Sequence, residues 1–279
     1  MIFKDRAVII TGASAGVGAE AARQFAQAGA KLMLVARGKK NLEAIAEELR
    51  DKTHVEIFAM DVADSEACIN VVKKANFEFG RVDVLVNNAG LHARGNFLDV
   101  DSADLAAMVD VNLRGPVVLS RAALPFMIEN GSGAIVNVAS LAGRTPVPGA
   151  ATYSATKFAL RALTYALADE LHDTPIKVAA VSPGPINTGF IMSEIDSVGD
   201  LTFSQPMSTA EEVAQAILDL CGNTQVEQSM PAFSGYLTTL TYLFPWLGRA
   251  VRPMLLRKGQ RAKKEWKARL RAEADKAAD

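Results

Sequence analysis

Residues 7 to 30 read AVIITGASAGVGAEAARQFAQAGA. An apolar run, Ala7 to Ile10, passes directly into a turn carrying Gly12, Gly16 and Gly18, and then into an Ala-rich helical pattern. A strand with no polar face belongs in a sheet covered on both sides. Glycines between such a strand and a helix let backbone N–H groups close on an anion at the positive end of the helix. The spacing is G-x-x-x-G-x-G, which differs from the G-x-G-x-x-G dinucleotide fingerprint.

The alternation begun there continues along the chain. Lys31 to Ala36, Val55 to Ala59, Val82 to Val86, Ile135 to Ala139 and Lys177 to Val181 have strand length and strand composition. Helical patterns near 16–28, 40–50, 64–79, 101–130 and 152–172 separate them, and Ser208 with Glu211 has the spacing of a capping box opening one more. Strands each followed by a helix predict an α/β fold, a doubly wound parallel sheet of Rossmann type. With 279 residues, 49% apolar and 22% charged, and no linker or repeat, the chain reads as one domain, 1–230, with an extension, 231–279. Cys68 and Cys221 cannot build a disulfide framework, and the N-terminus holds no secretory apolar run, so a cytoplasmic protein is expected.

In such a sheet, ligands bind beyond the carboxyl ends of the strands. The fourth strand ends in Asn87, Asn88, Ala89 and Gly90, and the fifth in Ser140. The second ends in Ala36 and Arg37, without the carboxylate that would hold a ribose 2′-hydroxyl. An arginine there suits a 2′-phosphate, so NADP(H) is favoured over NAD(H). In ATYSATKFAL, 151 to 160, Tyr153 and Lys157 lie one helical turn apart. A phenol of ordinary pKa near 10 is a poor base at neutral pH, and a nearby ammonium favours its ionised form. The pair therefore fits general acid–base chemistry.

Taken together, the motifs resemble the short-chain dehydrogenase/reductase family over residues 5 to about 230. TGxxxGxG is matched by Thr11, Gly12, Gly16 and Gly18, NNAG by Asn87 to Gly90, and YxxxK by Tyr153 and Lys157. The family's catalytic Asn and Ser are matched by Asn112 and Ser140, its adenine-contacting acid by Asp61, and its later PG motif by Pro183 and Gly184. The resemblance implies Tyr153 as acid/base, Lys157 as its tuner and a ribose contact, Ser140 as a donor to the substrate oxygen, and Asn112 as the anchor of a proton-relaying water. It also implies cofactor contacts from Ser14, Val17, Val62, Asn88, Ala89, Gly90 and Thr188.

The expected function is interconversion of a carbonyl and a secondary alcohol on a lipophilic small molecule. The stretch 186–207 lies where the resemblance implies a substrate lid, and its Ile, Phe and Met content suggests the lipophilic character. The alternatives are an NAD-dependent alcohol dehydrogenase and a membrane-associated cofactor-binding scaffold with an idle site. The resemblance also implies a homodimer or homotetramer built on the helices near 101–130 and 152–172. His54, His92 and His172 lack partners at ligand spacing, so no metal site is expected. Arg249 to Asp279 holds eleven basic and four acidic residues behind the apolar stretch Tyr236 to Leu247, which is too short to span a bilayer. That tail fits contact with an anionic membrane surface through Tyr236, Tyr242, Phe244 and Trp246. The competing reading is that it packs on the partner subunit or covers the substrate pocket, with the basic part a solvated helix. No nucleic-acid partner is expected.

Overall fold

Each apolar run finds its place in one sheet. β1 (Ala7–Thr11) is central, with β2 (Lys31–Ala36) and β3 (Val55–Ala59) on one side. β4 (Val84–Asn87), β5 (Gly133–Val138) and β6 (Ile176–Pro183) lie on the other. A seventh strand, β7 (Glu227–Met230), closes the far edge, giving the parallel order β3-β2-β1-β4-β5-β6-β7. Its sequence, Glu-Gln-Ser-Met, has no apolar run, because an edge strand need not be buried on both faces. The computed structural model describes residues 3–278, and side chains up to 272. Met1, Ile2 and Asp279, assigned above to the ends of the domain and the tail, lie outside the described residues, as do the last tail side chains.

Alternating strand residues face two helical layers. Val8, Ile10, Leu32, Leu34, Val86 and Val136 pack under α1 (Gly16–Gln27), α2 (Lys39–Arg50) and α8 (Ala210–Gly222). Ala7, Ile9, Met33, Leu85 and Ile135 pack under α3 (Ser65–Phe79) and α5 (Gly115–Glu129). Phe25 is fully buried in the first layer, a burial that stabilises by about 1.5–3 kcal/mol. Cys68 and Cys221 are buried free thiols within these layers, and burial raises their pKa values to about 11 and about 12.

Two local expectations are corrected. The stretch 101–130 is not one regular helix: α4 (Ser102–Val109) and α5 are joined by a π turn, Asp110–Arg114, that carries Asn112 inward. The cap of α8 is Thr209 with Glu212, not Ser208 with Glu211. Ser208 is held in an extended bridge to Ile186, donating its N–H to Pro185 O, so the helix cannot begin there.

Register levels the carboxyl ends that matter. Ile10 is opposite Val86 and Asn87 opposite Asn137, so β1, β4 and β5 end together, beside α6 (Ala151–Glu170). Over this end lies the segment with α7 (Gly189–Met192) and a 3-10 turn, Asp200–Ser204. The tail forms α9 (Ala232–Leu243) and α10 (Pro245–Ala278). No described helix is long and apolar enough to cross a membrane.

The basic tail is not simply solvated. Lys263 donates to Val198 O (2.6 Å) and Asp196 O (3.2 Å) and faces Asp200 at 3.6 Å, while Lys267 pairs with Asp196. Trp266 packs on Ile191, Val198 and Phe203. Buried Gly259 lets the helix cross Asp200 at backbone distance. The lid's apolar residues are therefore largely occupied by α10. The aromatic α9 side is open, with Tyr236 77% and Trp246 60% exposed.

Candidate active site

The glycine turn is braced from below. Thr11 Oγ1 accepts the N–H groups of Asn88 and Ala89, both at 3.0 Å, and donates to Val86 O. The Asn88 side chain donates to Thr11 O (2.9 Å) and Gly12 O (3.3 Å), so it shapes the turn from beneath. A Cβ on Gly18 would stand 2.6 Å from Asn88 Nδ2 and 2.8 Å from the Gly12 carbonyl carbon, so only glycine fits there. Gly12 has φ +67° and Gly16 φ +54°, the left-handed region where glycine is free of strain. Half-buried Ser14 and buried Val17 complete the turn.

The N-terminus of α1 lacks the side-chain cap that Asp64 gives α3 and Thr209 gives α8. Its first N–H groups therefore have no side-chain acceptor, as suits a diphosphate. Thr188 hangs over the same turn, 3.5 Å from where a Gly16 Cβ would be. Arg37, 73% exposed, reaches toward Asp61 at 3.9 Å, placing a cation at the end of β2 and an acid at the end of β3. Val62 is buried against Gly115. These residues fit a dinucleotide laid across the ends of β1, β2 and β3.

The four residues of the catalytic expectation gather beside this cradle. Asn112 Nδ2 donates to Leu91 O (2.8 Å) and Thr156 Oγ1 (3.2 Å), and its Oδ1 accepts the Leu91 N–H (2.7 Å). Gly90 keeps the space between Asn112 Oδ1 and Lys157 Nζ clear: a Cβ there would be 3.6 and 3.8 Å from them. Lys157 is buried and donates to Val138 O at 2.8 Å. Ser140 caps a short 3-10 turn, accepting the Ala142 N–H and donating weakly to Pro183 O (3.4 Å). Gly184 follows, packed on Leu141. Gly143 lets α6 approach: a Cβ there would be 2.6 Å from Lys157 O.

The electrostatics differ from the simple pair read in the sequence. Burial raises the Tyr153 pKa above its ordinary value, by more than Ser140 and the Arg94 charge draw it down. Burial pushes Lys157 down to about 8. The Lys157 ammonium lies 5.7 Å from the centre of the Tyr153 ring. Two cations lie near the phenol, and the Arg94 charge, rather than that of Lys157, is the one that opposes the rise.

His92 and Arg94 are functional candidates that sequence reasoning missed. The His92 ring stacks on Tyr153 with centroids 4.1 Å apart and an interplanar angle of 13°. Its Nε2 is buried without a hydrogen-bond partner among the described residues, and burial, with Arg94 and Lys157, holds its pKa down at about 4. The available signal was position: both follow directly on the NNAG strand end, where ligands bind. His54 pairs with Glu56 and His172 with Asp173 instead. Among the described residues no three His, Cys, Asp or Glu side chains gather as metal ligands.

Comparison with known proteins bears on the fold and the family. A family profile described as short chain dehydrogenase matches residues 6–198. Sulfoacetaldehyde reductase 2 of Chromohalobacter salexigens is 40% identical over 218 residues, covering 75% of this chain and 86% of that protein. Dehydrogenase/reductase SDR family member 7B of Xenopus tropicalis is 34% identical over 256 residues, covering 85% and 82%. The crystal structure of levodione reductase superposes with a TM-score of 0.77 at 27% identity, over 84% of this chain and 99% of that one. The chain belongs to the short-chain dehydrogenase/reductase family and is an oxidoreductase of carbonyls and alcohols that uses a nicotinamide dinucleotide.

Proposed function

We propose that the protein is an NADPH-preferring reductase of a small carbonyl compound, with Tyr153 as its general acid. The observation that carries this reading is the convergence of Asn112, Ser140, Tyr153 and Lys157 at the level ends of β4 and β5, beside the braced glycine turn. The turn from Gly12 to Gly18, with Ser14 and Val17, would hold the diphosphate. Arg37 would hold the 2′-phosphate, and Asp61 and Val62 the adenine. Ala89, Gly90, Pro183, Gly184 and Thr188, with Lys157 at the ribose, would hold the nicotinamide end, over the floor that Asn88 braces. When bound, NADPH supplies the hydride.

The chain's own residues handle the oxygen and the proton. Ser140 Oγ donates to the substrate oxygen and fixes it near the phenol, a preorganised donor where negative charge develops. Tyr153 gives its proton to that oxygen, and Lys157 and Arg94 stabilise the phenolate left behind. A water anchored by Asn112 would return protons to Lys157. Burial keeps bulk water away from the phenol and strengthens each of these interactions.

Support for a lipophilic substrate narrows to Phe190, which is half exposed next to Arg94, because Ile191 and Phe203 serve α10. We further propose self-association through α5 and α6, which expose Val117, Ile128 and Tyr165, and membrane-surface contact through α9 and the start of α10. The functional test is oxidation of NADPH and NADH in parallel. The panel holds ketones, aldehydes including sulfoacetaldehyde, steroids and 3-oxoacyl thioesters. NADPH-preferring turnover of a carbonyl is expected. Tight cofactor binding with no turnover across the panel contradicts the reductase reading and favours the scaffold.

A further inference from the structure

Arg94 is a guanidinium where one is costly to keep. Its side chain is 8% exposed, on the segment that follows β4, and its charge is felt by both His92 and Tyr153. Nη1 donates to Glu194 Oε2 (2.8 Å) and weakly to His92 O (3.3 Å), and Nη2 donates to Phe190 O (2.8 Å). The Phe190 ring stands 5.2 Å from the guanidinium carbon. The carboxylate paired with it among the described residues, Glu194, belongs to the lid and is 58% exposed.

From this geometry we infer that Arg94 is a specificity residue that receives an acidic group of the substrate, so that the preferred substrates are oxo compounds bearing a carboxylate, sulfonate or phosphate. This rests on the reductase reading of the same crevice. Three observations carry it. The guanidinium cannot lose its charge at working pH, so a buried one requires an anion. Its fork matches the oxygens of an oxyacid. Its present anion comes from an exposed residue of a lid that α10 already holds through Lys263, Lys267 and Trp266. The Arg94–Glu194 pair is thus not needed to fasten the lid, and an arriving oxyacid can take Glu194's place. A neutral substrate cannot, because it would leave the buried charge unpaired. His92 Nε2, buried and unpartnered beside the phenol, offers a second polar contact to such a substrate.

Two substitutions separate this role from a lid latch. Both Arg94→Gln and Glu194→Gln break the ion pair, and Arg94→Gln also loses the bond to Phe190 O, so a latch would shift charged and uncharged probes together in each variant. KM with NADPH would be measured for 4-oxopentanoate, for 3-oxobutane-1-sulfonate and for uncharged 4-oxopentanamide. The inference expects Arg94→Gln to raise KM for the two anions roughly ten- to a hundredfold relative to the amide, the worth of a charged hydrogen-bonded pair. It expects Glu194→Gln to lower KM for the anions, since a competitor is removed. Equal shifts for anionic and neutral probes, in the same direction in both variants, overturn it and leave a latch. Calorimetric titration of 4-oxopentanoate into NADP+-loaded protein gives a reading independent of turnover. Binding that Arg94→Gln abolishes supports the inference even where no probe is reduced, and that outcome places the failure in the reductase reading. Binding unchanged in Arg94→Gln, or binding of neither anion to the unsubstituted protein, overturns it.

Discussion

Gly259→Ala probes the contact between the tail and the lid. In an exposed helix, replacing Gly by Ala stabilises by about 0.8–1.0 kcal/mol. At Gly259 the new methyl would stand 2.7 Å from the Asp200 carbonyl carbon, closer still to its oxygen, and 3.3 Å from the Ser204 amide nitrogen. Unbonded carbons settle about 3.5–4.0 Å apart, so α10 must retreat by about 1 Å. That retreat stretches the Lys263 bond to Val198 O and lifts Trp266 from Phe203 and Ile191. Overpacking of this kind costs about 1–3 kcal/mol, which outweighs the helix-propensity gain or nearly cancels it. Gly248 is the internal control: a Cβ there would first meet Thr241 Cβ at an ordinary 3.4 Å, so Gly248→Ala should be neutral or mildly stabilising. Hydrogen exchange of the amides from 198 to 204 is the assay, with urea unfolding beside it. Gly259→Ala should lose protection there by roughly five- to a hundredfold, matching local opening made easier by that energy. A Gly259→Ala protein that gains stability and keeps full protection across the turn refutes the docking of α10 on the lid.

Other consequences can be measured separately. Lys157 has a native pKa of about 8 against 10.5 for an ordinary lysine, so its penalty is fully present below pH 8 and fades toward pH 10.5. Lys157→Met should therefore be more stable, relative to the parent, at pH 7 than at pH 10.5, by roughly 2–3 kcal/mol in urea titrations; a gap that does not move with pH counts against the buried ammonium. Arg37→Asp should raise KM for NADPH at least tenfold, the effect of losing a charged phosphate contact, while improving use of NADH; equal weakening of both cofactors counts against a 2′-phosphate site. Glu227 is buried and accepts from Arg144 (2.5 Å), Arg161 (2.8 Å), Tyr165 (2.9 Å) and Ser182 (2.7 Å). Burial pushes its pKa up, but the hydrogen bonds from Ser182, Arg144 and Arg161 bring it below the usual carboxylate value. Glu227→Ala should cost about 3 kcal/mol by leaving these cations unpaired, seen as a lower urea midpoint, whereas a change under 1 kcal/mol would mean the network is solvated.

Much of this was legible in the sequence because burial on two faces leaves a plain mark. Lys31–Ala36 and Val55–Ala59 begin and end as strands where their apolar runs do. The glycine turn was legible because Gly12 and Gly18 leave no room for a side chain, a demand the sequence records directly. β7 was not, since Glu-Gln-Ser-Met earns its place through edge pairing with β6 and through Glu227's cations. The π turn at Asn112 was hidden because a one-residue bulge hardly disturbs helical periodicity. His92 and Arg94 carry no motif, and their meaning lies in a stack and an ion pair made with residues far along the chain. The lid's apolar residues looked like a substrate surface, yet long-range packing on Trp266 accounts for most of them.

In the proposed mechanism Tyr153 passes the proton to the carbonyl oxygen. The most direct test compares Tyr153→Phe with the parent in single-turnover NADPH oxidation on the best carbonyl of the panel, with NADPH affinity measured in parallel. Removing a general acid should slow the chemical step about 10²–10⁴-fold while the cofactor still binds in the cradle built from Gly12 to Gly18. A Tyr153→Phe protein that turns over within a fewfold of the parent would contradict the account.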